Sequence, residues 1–445
     1  MIYTSIESII GHTPLLQIDA ERYGIVHTNV YVKLEYLNPF GSIKDRTAVG
    51  LLSNVSMDDL KTHDKHIIES SSGNTAKALQ ILAARHGVPF TSVTNRIKVP
   101  EVEQQLRYFG TTIVSLPGRS ECPDPNDSGN AIATINAMIT ASPDRYHHTS
   151  QYENRDNTLI HQHTTAAEIY DDLSIVDHVV TGVGTGGSSG GLIEYAKAHR
   201  SAAKHVGVVA HPSDFLPGIR TKNELFETEL FNEDDFNDIL EVTSTDALEA
   251  LRDLVLNEGI LAGPTTGANF AASLRYLQSH DVPRKNGDKQ SLVFVACDRI
   301  EPYMSYIMKR QPDLFGTHTY SDLYSIDLTT IDVDALRKPA NAQTQDWIEQ
   351  SRALVIDTRG VKPFANFHIP GSISYPEEML REILSLGAPF DRDVPLLFVC
   401  PIGERSDILA AILRQRGYDA YGLEGGLLSW RTNGLPLVRK RDIDG

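Results

Sequence analysis

The 445-residue chain has only three cysteines, Cys122, Cys297 and Cys400, widely separated and without a C-x-x-C pair. That scarcity suits a reducing cytoplasm, where a thiol is either inert or chemically employed. Basic charge is also short: 41 Lys and Arg stand against 58 Asp and Glu, a formal net charge of -17. Nucleic acid is therefore not expected as a general partner, because phosphate neutralisation needs a basic face. A small anionic substrate, which needs one local positive pocket, is not excluded. No uninterrupted apolar run is long enough to span a bilayer, so no membrane partner is expected. The opening MIYTSIESIIGHTPLL lacks a basic segment followed by a long apolar core, and so does not read as a secretory signal. Histidines offer little for a metal: His161 and His163 form the closest pair, and no further ligand spacing accompanies them.

What is present is a soluble, globular composition, 41% hydrophobic and 22% charged, in a chain too long for one ordinary domain. From about residue 30 to 310, β-branched runs alternate with helical patterns. HIIE (66–69) leads through SSSGN into TAKALQILAARHG, where Leu79, Leu82 and Ala83 share a face and Gly87 stops the helix. VPFTSVT precedes PEVEQQLRYFG, with Pro100 at the helix start; DHVVTGV (177–183) precedes GTGGSSGG, and SLVFVAC (291–297) closes the series. The alternation predicts a mostly parallel, three-layer α/β fold. The pattern loosens after residue 310. It resumes with ALVIDTR (353–359), PLLFVC (395–400), the helix SDILAAILRQRGY and YGLEGGLLSW.

Three segments of the first series carry chemistry. In NPFGSIKDRTA, Lys44 follows a Pro/Gly turn and opens a helix, whose positive end favours a neutral, nucleophilic amine. Taken alone it would be an ordinary solvated lysine. ESSSGNTAKAL is a loop of small polar residues that can hold a carboxylate at a helix N-terminus, or simply cap that helix. VGTGGSSGG (183–191) lets main chain wrap an anion before a helix, without the lysine of a P-loop or the G-x-G-x-x-G spacing.

In this order, GHTPLL (11–16), NPFGSIKDR, SSGNT, QYENRDN (151–157), GTGGS and EGILAGPTTGA (258–268) resemble the cysteine synthase/cystathionine β-synthase family of fold-type II pyridoxal-phosphate enzymes. The resemblance runs to about residue 307. It implies two three-layer α/β subdomains, a homodimer and pyridoxal 5′-phosphate. It makes Lys44 the Schiff-base lysine that also moves the Cα proton. Asn74 would bond the cofactor's 3′-oxygen, and Ser71, Ser72, Gly73, Thr75 and Gln151 the substrate carboxylate. Gly184, Thr185, Gly186, Gly187 and Ser188 would hold the phosphate. Thr265 stands at the pyridine nitrogen. A neutral hydroxyl there leaves that nitrogen unprotonated and favours loss of a β-substituent to an aminoacrylate over transamination. His161 is structural by the same resemblance, and haem is not expected.

Three departures bear on substrate. Arg220 in LPGIRTKNE (216–224) replaces the second glycine of the family's G-I-G loop: it either faces outward or recognises an anionic leaving group or nucleophile. Arg155 replaces a proline in QYENRDN, and DRIEPYMS (298–305) departs from D-[ST]-G-E-R-Y.

Cys400 ends an apolar strand and precedes PIGERS and a helix, a setting that favours the reactive thiolate. Cys297 fits a buried, inert strand-end thiol, and Cys122 has no evident chemical partner. DTRG (357–360), FHIPGSISYP, CPIGERS and LEGGLLSW resemble a single rhodanese domain, with Phe367 in a glycine's place. The C-x-x-x-x-R spacing is the sulfurtransferase one. The resemblance makes Cys400 a persulfide carrier, with Arg405 and the loop backbone stabilising charge. Glu404 in the loop would repel an anionic donor such as thiosulfate.

The expected organisation is a pyridoxal-phosphate domain at 1–310, a linker at 311–325 and a rhodanese-like domain at 326–440. The expected activity is β-replacement on a serine-derived amino acid, of the O-acetylserine or O-phosphoserine class, with a sulfur donor as partner: sulfide, a persulfide or a sulfur-carrier protein. The alternatives are a cysteine β-lyase or desulfhydrase, β-replacement with an amine nucleophile, and a rhodanese unit that only docks a partner.

Overall fold

The β-branched runs become strands covered by helices, which is why they read as nearly continuous apolar stretches. In chain order these are β1 (Leu15–Gln17), β2 (Thr28–Lys33), β3 (His66–Glu69), β4 (Phe90–Thr94), β5 (Thr112–Ser115), β6 (Tyr146–His148), β7 (His178–Gly182), β8 (Lys204–Ala210), β9 (Asp238–Val242) and β10 (Gln290–Val295). The computed structural model describes residues 2–94, 99–116, 130–315, 332, 334–377, 379–380, 384, 388 and 390–439. The chain divides into two units, Met1–Phe315 and Gly316–Gly445. Cys122 and residues 316–325 of the expected linker lie outside the described residues.

The first unit holds two sheets, as expected of two α/β subdomains. One runs β1-β2-β10-β7-β8-β9, parallel except where β1 meets β2; the other runs β5-β4-β3-β6 and is parallel throughout. In the six-stranded sheet β2 pairs with β10 from far along the unit: Val30 lies opposite Leu292. The helix Asn74–Arg85 buries Leu79, Leu82 and Ala83 against the second sheet's core. Each such leucine contributes roughly 1.5–3 kcal/mol. Gly87 follows the helix with φ of 72°, and Pro100 occupies the first turn of the helix Pro100–Tyr108.

The second unit has β11 (Arg337–Lys338), β12 (Leu354–Asp357), β13 (Ile373–Ser374), β14 (Leu396–Val399) and β15 (Ala420–Leu423), in the order β11-β15-β14-β12-β13 and parallel at each pairing. All four residues of β14 are buried, and Trp430 of the helix Gly426–Thr432 closes the core on one side. Among the described residues no helix is long and apolar enough to cross a membrane.

In open parallel sheets, ligand sites form where loops leave the carboxyl ends of strands. Those loops follow β3, β7 and β10 in the first unit, and β14 in the second.

Candidate active site and thiol loop

A cavity of about 590 Å³ in the first unit is lined by the loops after β3, β7 and β10. It gathers Lys44, Ser71, Ser72, Gly73, Asn74, Thr75, Gln151, Gly184, Thr185, Ser188, Arg220 and Thr265. Gly186 and Gly187 belong to the same loop but do not line the cavity; Cys400 and Arg405 belong to the other unit.

Lys44 is set by a turn pinned at several points. Asp45 accepts from Phe40 N at 2.6 Å and from Ser42 Oγ at 3.1 Å, while Ile43 N donates to Cys297 O at 2.8 Å. The lysine opens the helix Lys44–Leu52 with its amine enclosed. Burial lowers that amine below the ordinary lysine range, against the opposing pull of Cys297 and Asp298. More of it is therefore neutral and able to attack or accept a proton.

The small-residue loop after β3 is both a cap and a site. Ser71 Oγ accepts from Ala76 N at 3.1 Å, so it satisfies a helix amide while its own hydrogen can still be donated. Buried Glu69 joins this loop to the next segment: its carboxylate accepts from Ser70 N, Thr149 Oγ1 and Gln151 N at 2.5–3.0 Å. Gln151 Nε2 donates to Ser70 O at 2.6 Å. Asn74 Nδ2 donates to Asp298 Oδ2 at 2.7 Å and to Tyr303 Oη at 3.3 Å, and Tyr303 Oη donates to the same carboxylate. Burial raises the Asp298 carboxyl, and Tyr303, Lys77 and Asn74 oppose the rise.

The glycine loop is shaped by close approach. Gly186 has φ of 85°, and a Cβ there would meet the Leu230 carbonyl carbon at 2.9 Å; a Cβ on Gly187 would meet the Asn157 amide at 2.3 Å. Asn157 Nδ2 donates to Gln151 O and Thr185 Oγ1 at 2.7 and 3.0 Å, which ties the glutamine segment to the loop. Across the cavity, Thr265 Oγ1 donates to Pro217 O at 2.6 Å. Arg220 does not face outward: it is 9% exposed, lines the cavity and lays its guanidinium over Tyr152, 4.9 Å from the ring centre.

A buried ion network two residues on from Lys44 joins two of the sequence motifs, GHTPLL through Thr13 and NPFGSIKDR through Arg46. Arg46 pairs with Glu35 at 2.8 Å and with Glu168 at 2.6 Å, and Lys33 pairs with Glu168 at 2.7 Å. Thr13 donates to Glu35 and its carbonyl accepts from Lys33 Nζ, each at 2.6 Å. Burial would raise the Glu168 carboxyl, yet Arg46 and Lys33 bring it down to about 2. His161 bonds Thr47 and Thr165, and burial, then Lys44 and Arg46, keep it neutral. His163 is exposed, and no group of three metal-ligating side chains occurs among the described residues.

Cys297 keeps the inert character expected of a strand-end thiol but is only partly buried. It lies beyond β10 on the cavity wall, beside the turn that carries Lys44. Its thiol is pushed up by burial and by the Asp298 carboxylate, which leaves it poorly nucleophilic despite its place.

In the second unit, Cys400 follows β14, and its Sγ accepts from Gly403 N at 3.1 Å with Ser406 Oγ 3.6 Å away. The LEGGLLSW segment clamps this loop: Leu427 N donates to Cys400 O at 2.9 Å and Leu428 N to Pro401 O at 3.1 Å. A Cβ on Gly426 would meet Cys400 O at 2.3 Å, so only glycine permits the clamp. Arg359 pairs with Asp357, donates to Phe367 O and sits 5.3 Å from the Phe367 ring. The D-x-R motif is thus a local brace. Arg405 opens outward from the loop and pairs with Glu377.

Residues 6–298 match the pyridoxal-phosphate dependent enzyme family, and residues 340–433 match the rhodanese-like domain. The chain belongs to the pyridoxal-phosphate dependent enzymes and carries a rhodanese-like domain after the enzyme domain. It is similar to a cysteine synthase of Helicobacter pylori (strain J99), 29% identical over 286 residues, which are 62% of this chain and 92% of that protein. Cysteine synthase B of Escherichia coli K12 is 28% identical over 305 residues, 68% of this chain and 95% of that protein. Among solved structures, a hydrogen sulfide-producing enzyme from Fusobacterium nucleatum superposes with a TM-score of 0.59 at 28% identity, covering 68% of this chain and 99% of that one. O-ureido-L-serine synthase does so with a TM-score of 0.60 at 27% identity, covering 69% and 96%.

The chain is a cysteine synthase-like enzyme, and its cofactor is pyridoxal 5′-phosphate. The cavity fits that group: it offers a buried amine of lowered basicity, a glycine loop with no room for side chains, and a hydroxyl on the opposite wall. Reading by motif passed over Glu69, Asn157, Asp298 and Tyr303. Asn157 was visible as the last asparagine of QYENRDN. Asp298 and Tyr303 were visible as the first and last positions that DRIEPY keeps of the D-[ST]-G-E-R-Y pattern.

Proposed function

We propose that this chain performs β-replacement on a serine-derived amino acid of the O-acetylserine or O-phosphoserine class, with sulfur as the incoming nucleophile. The observation that carries the reading is one cavity holding the low-basicity Lys44 amine, the small polar loop after β3 and the neutral Thr265 hydroxyl. Bound pyridoxal phosphate would supply an electron sink for the bond at Cα. Lys44 would hold it and carry the Cα proton. Asn74 would bond its ring oxygen, Thr265 its ring nitrogen, and residues 184–188 its phosphate. Ser71, Ser72, Gly73, Thr75 and Gln151 would bind the substrate carboxylate with main-chain and side-chain donors. Arg220, held against Tyr152, would meet a negative charge on the leaving group or the nucleophile.

The rhodanese-like unit would bring sulfur as a persulfide on Cys400, with Gly403 N and Arg405 balancing charge; two equivalents of a small thiol would reduce it off as sulfide, leaving the Cys400 thiol and a disulfide of the small thiol. The enzyme would act in the cytoplasm as a homodimer, with small molecules or a sulfur-carrier protein as partners. A second reading, release of sulfide from cysteine, is favoured by the likeness to a hydrogen sulfide-producing enzyme.

The test mixes the purified holoenzyme with O-acetylserine, O-phosphoserine, serine or cysteine and follows the visible absorption of the cofactor. Sulfide or persulfide is then added and the product identified. A spectral change with an O-substituted serine followed by cysteine formation is expected. Pyruvate from cysteine with no replacement product would establish the second reading, and no response to any of the four would overturn both. A Cys400→Ser chain should lose synthesis from persulfide and keep it from free sulfide.

A further inference from the structure

The Arg405 guanidinium, the one side-chain cation of the CPIGERS loop, is already matched by a carboxylate. Glu377 Oε2 pairs with Arg405 Nη1, and Glu377 is itself only 9% exposed. Its position is not left to a flexible surface chain. Glu377 N donates to Thr358 O at 3.0 Å, and Thr358 N donates to Val399 O at 2.9 Å, the residue before Cys400. Two main-chain bonds thus hold the carboxylate in register with the thiol loop. Arg359, the other arginine of this region, is committed to Asp357. Glu404, beside Arg405 in the loop, is exposed and adds a second negative charge. The loop therefore presents main-chain donors at the thiol, while its arginine is engaged by a carboxylate that competes with an incoming anion.

We infer that Glu377 is a specificity-determining, positioning residue that acts through Arg405 and turns the Cys400 loop away from dianionic donors and towards persulfides. The inference rests on the proposal that Cys400 carries sulfane sulfur. Attack on thiosulfate joins Cys400 Sγ to the outer sulfur and breaks the sulfur–sulfur bond, and the electron pair leaves with sulfite. That dianion needs a cation as it enters and as it leaves. Attack on a persulfide, R–S–SH, joins Sγ to the terminal sulfur, which keeps its proton, and expels R–S⁻. The monoanionic leaving group makes a smaller demand, which amide donors such as Gly403 N can meet.

The experiment measures sulfur transfer to cyanide by the full chain, with thiosulfate or cysteine persulfide as donor, and checks Cys400 for added sulfur by mass. In Glu377→Gln, the ratio of kcat/KM for thiosulfate to that for persulfide should rise about ten-fold, chiefly through a lower KM for thiosulfate. Glu377→Asp should keep the wild-type ratio, and Arg405→Ala in the Glu377→Gln background should remove the gain. In the unaltered chain, raising ionic strength should narrow the gap between the donors. Equal loss with both donors, an unchanged ratio or a salt-independent ratio would overturn the inference. Absence of sulfur on Cys400 with either donor would instead overturn the proposal beneath it.

Discussion

Cys297 and Cys400 both follow apolar parallel strands, at the ends of β10 and β14, yet their surroundings differ in kind. Cys297 sits against side chains: Asn269 Nδ2 lies 3.7 Å from its sulfur, and the neighbouring Asp298 carboxylate helps push the thiol up. Cys400 sits under main chain, with Gly403 N at 3.1 Å and the loop clamped by Leu427 and Leu428 amides. A strand end is therefore not what makes a cysteine chemical. The difference extends to the sites around them. The Lys44 cavity is built from side chains braced by a buried ion network, whereas the thiol loop is built from amides that glycines let close in.

This contrast can be broken at several points. Replacing Lys44 by Ala should reduce β-replacement by about 10²–10⁴-fold while leaving sulfur loading of Cys400 intact; equal loss of both would deny that the two sites are chemically separate. Arg46→Ala strips the partner from Glu35 and Glu168, both buried or partly buried. Removing one member of such a network costs about 3–5 kcal/mol, to be read as a shift of the first denaturant transition. A cost below about 1 kcal/mol, the range of exposed pairs, would show the network to be dispensable.

The same network has a pH signature. The Glu168 carboxyl, at about 2 instead of the ordinary 4.5, gives the fold stability that is fully present above pH 4.5 and is lost as pH falls through about 2. The stability difference between the wild type and Glu168→Gln should therefore be largest above pH 4.5 and shrink towards pH 2. A difference that stays constant across that window would remove Glu168 from the account. The smallest effect concerns Cys297. Cys297→Ala should cost about 1 kcal/mol, as a typical point substitution does, and leave added sulfur on Cys400 unchanged by mass. Loss of that sulfur would mean that the cavity thiol takes part in its transfer.

Much of this molecule was legible because its chemistry lies in short continuous segments. HIIE is a strand that leads through SSGNT into a helix start, GTGGS does the same after β7, and local spacing is enough to mark them. The second cysteine site was legible for the same reason, since CPIGERS supplies the thiol, the amides and the arginine from consecutive residues. The inertness of Cys297 was legible, but an apolar run shows only that a strand ends there, not that its end faces the cavity. The outward or inward aim of Arg220 was undecidable in sequence, since Tyr152 lies far from it along the chain.

By itself the sequence determined the class of enzyme, and it marked the candidate amine, hydroxyls, thiol and glycine-rich turns. Tertiary structure alone decided the order of strands within each sheet, with β2 beside β10. It also decided that Asn74 meets Asp298 across 224 residues and that Glu377 meets Arg405 across 28. The reason is physical. Helix and strand periods follow from local backbone geometry, whereas the pairing of buried charges depends on which distant segments exclude water together.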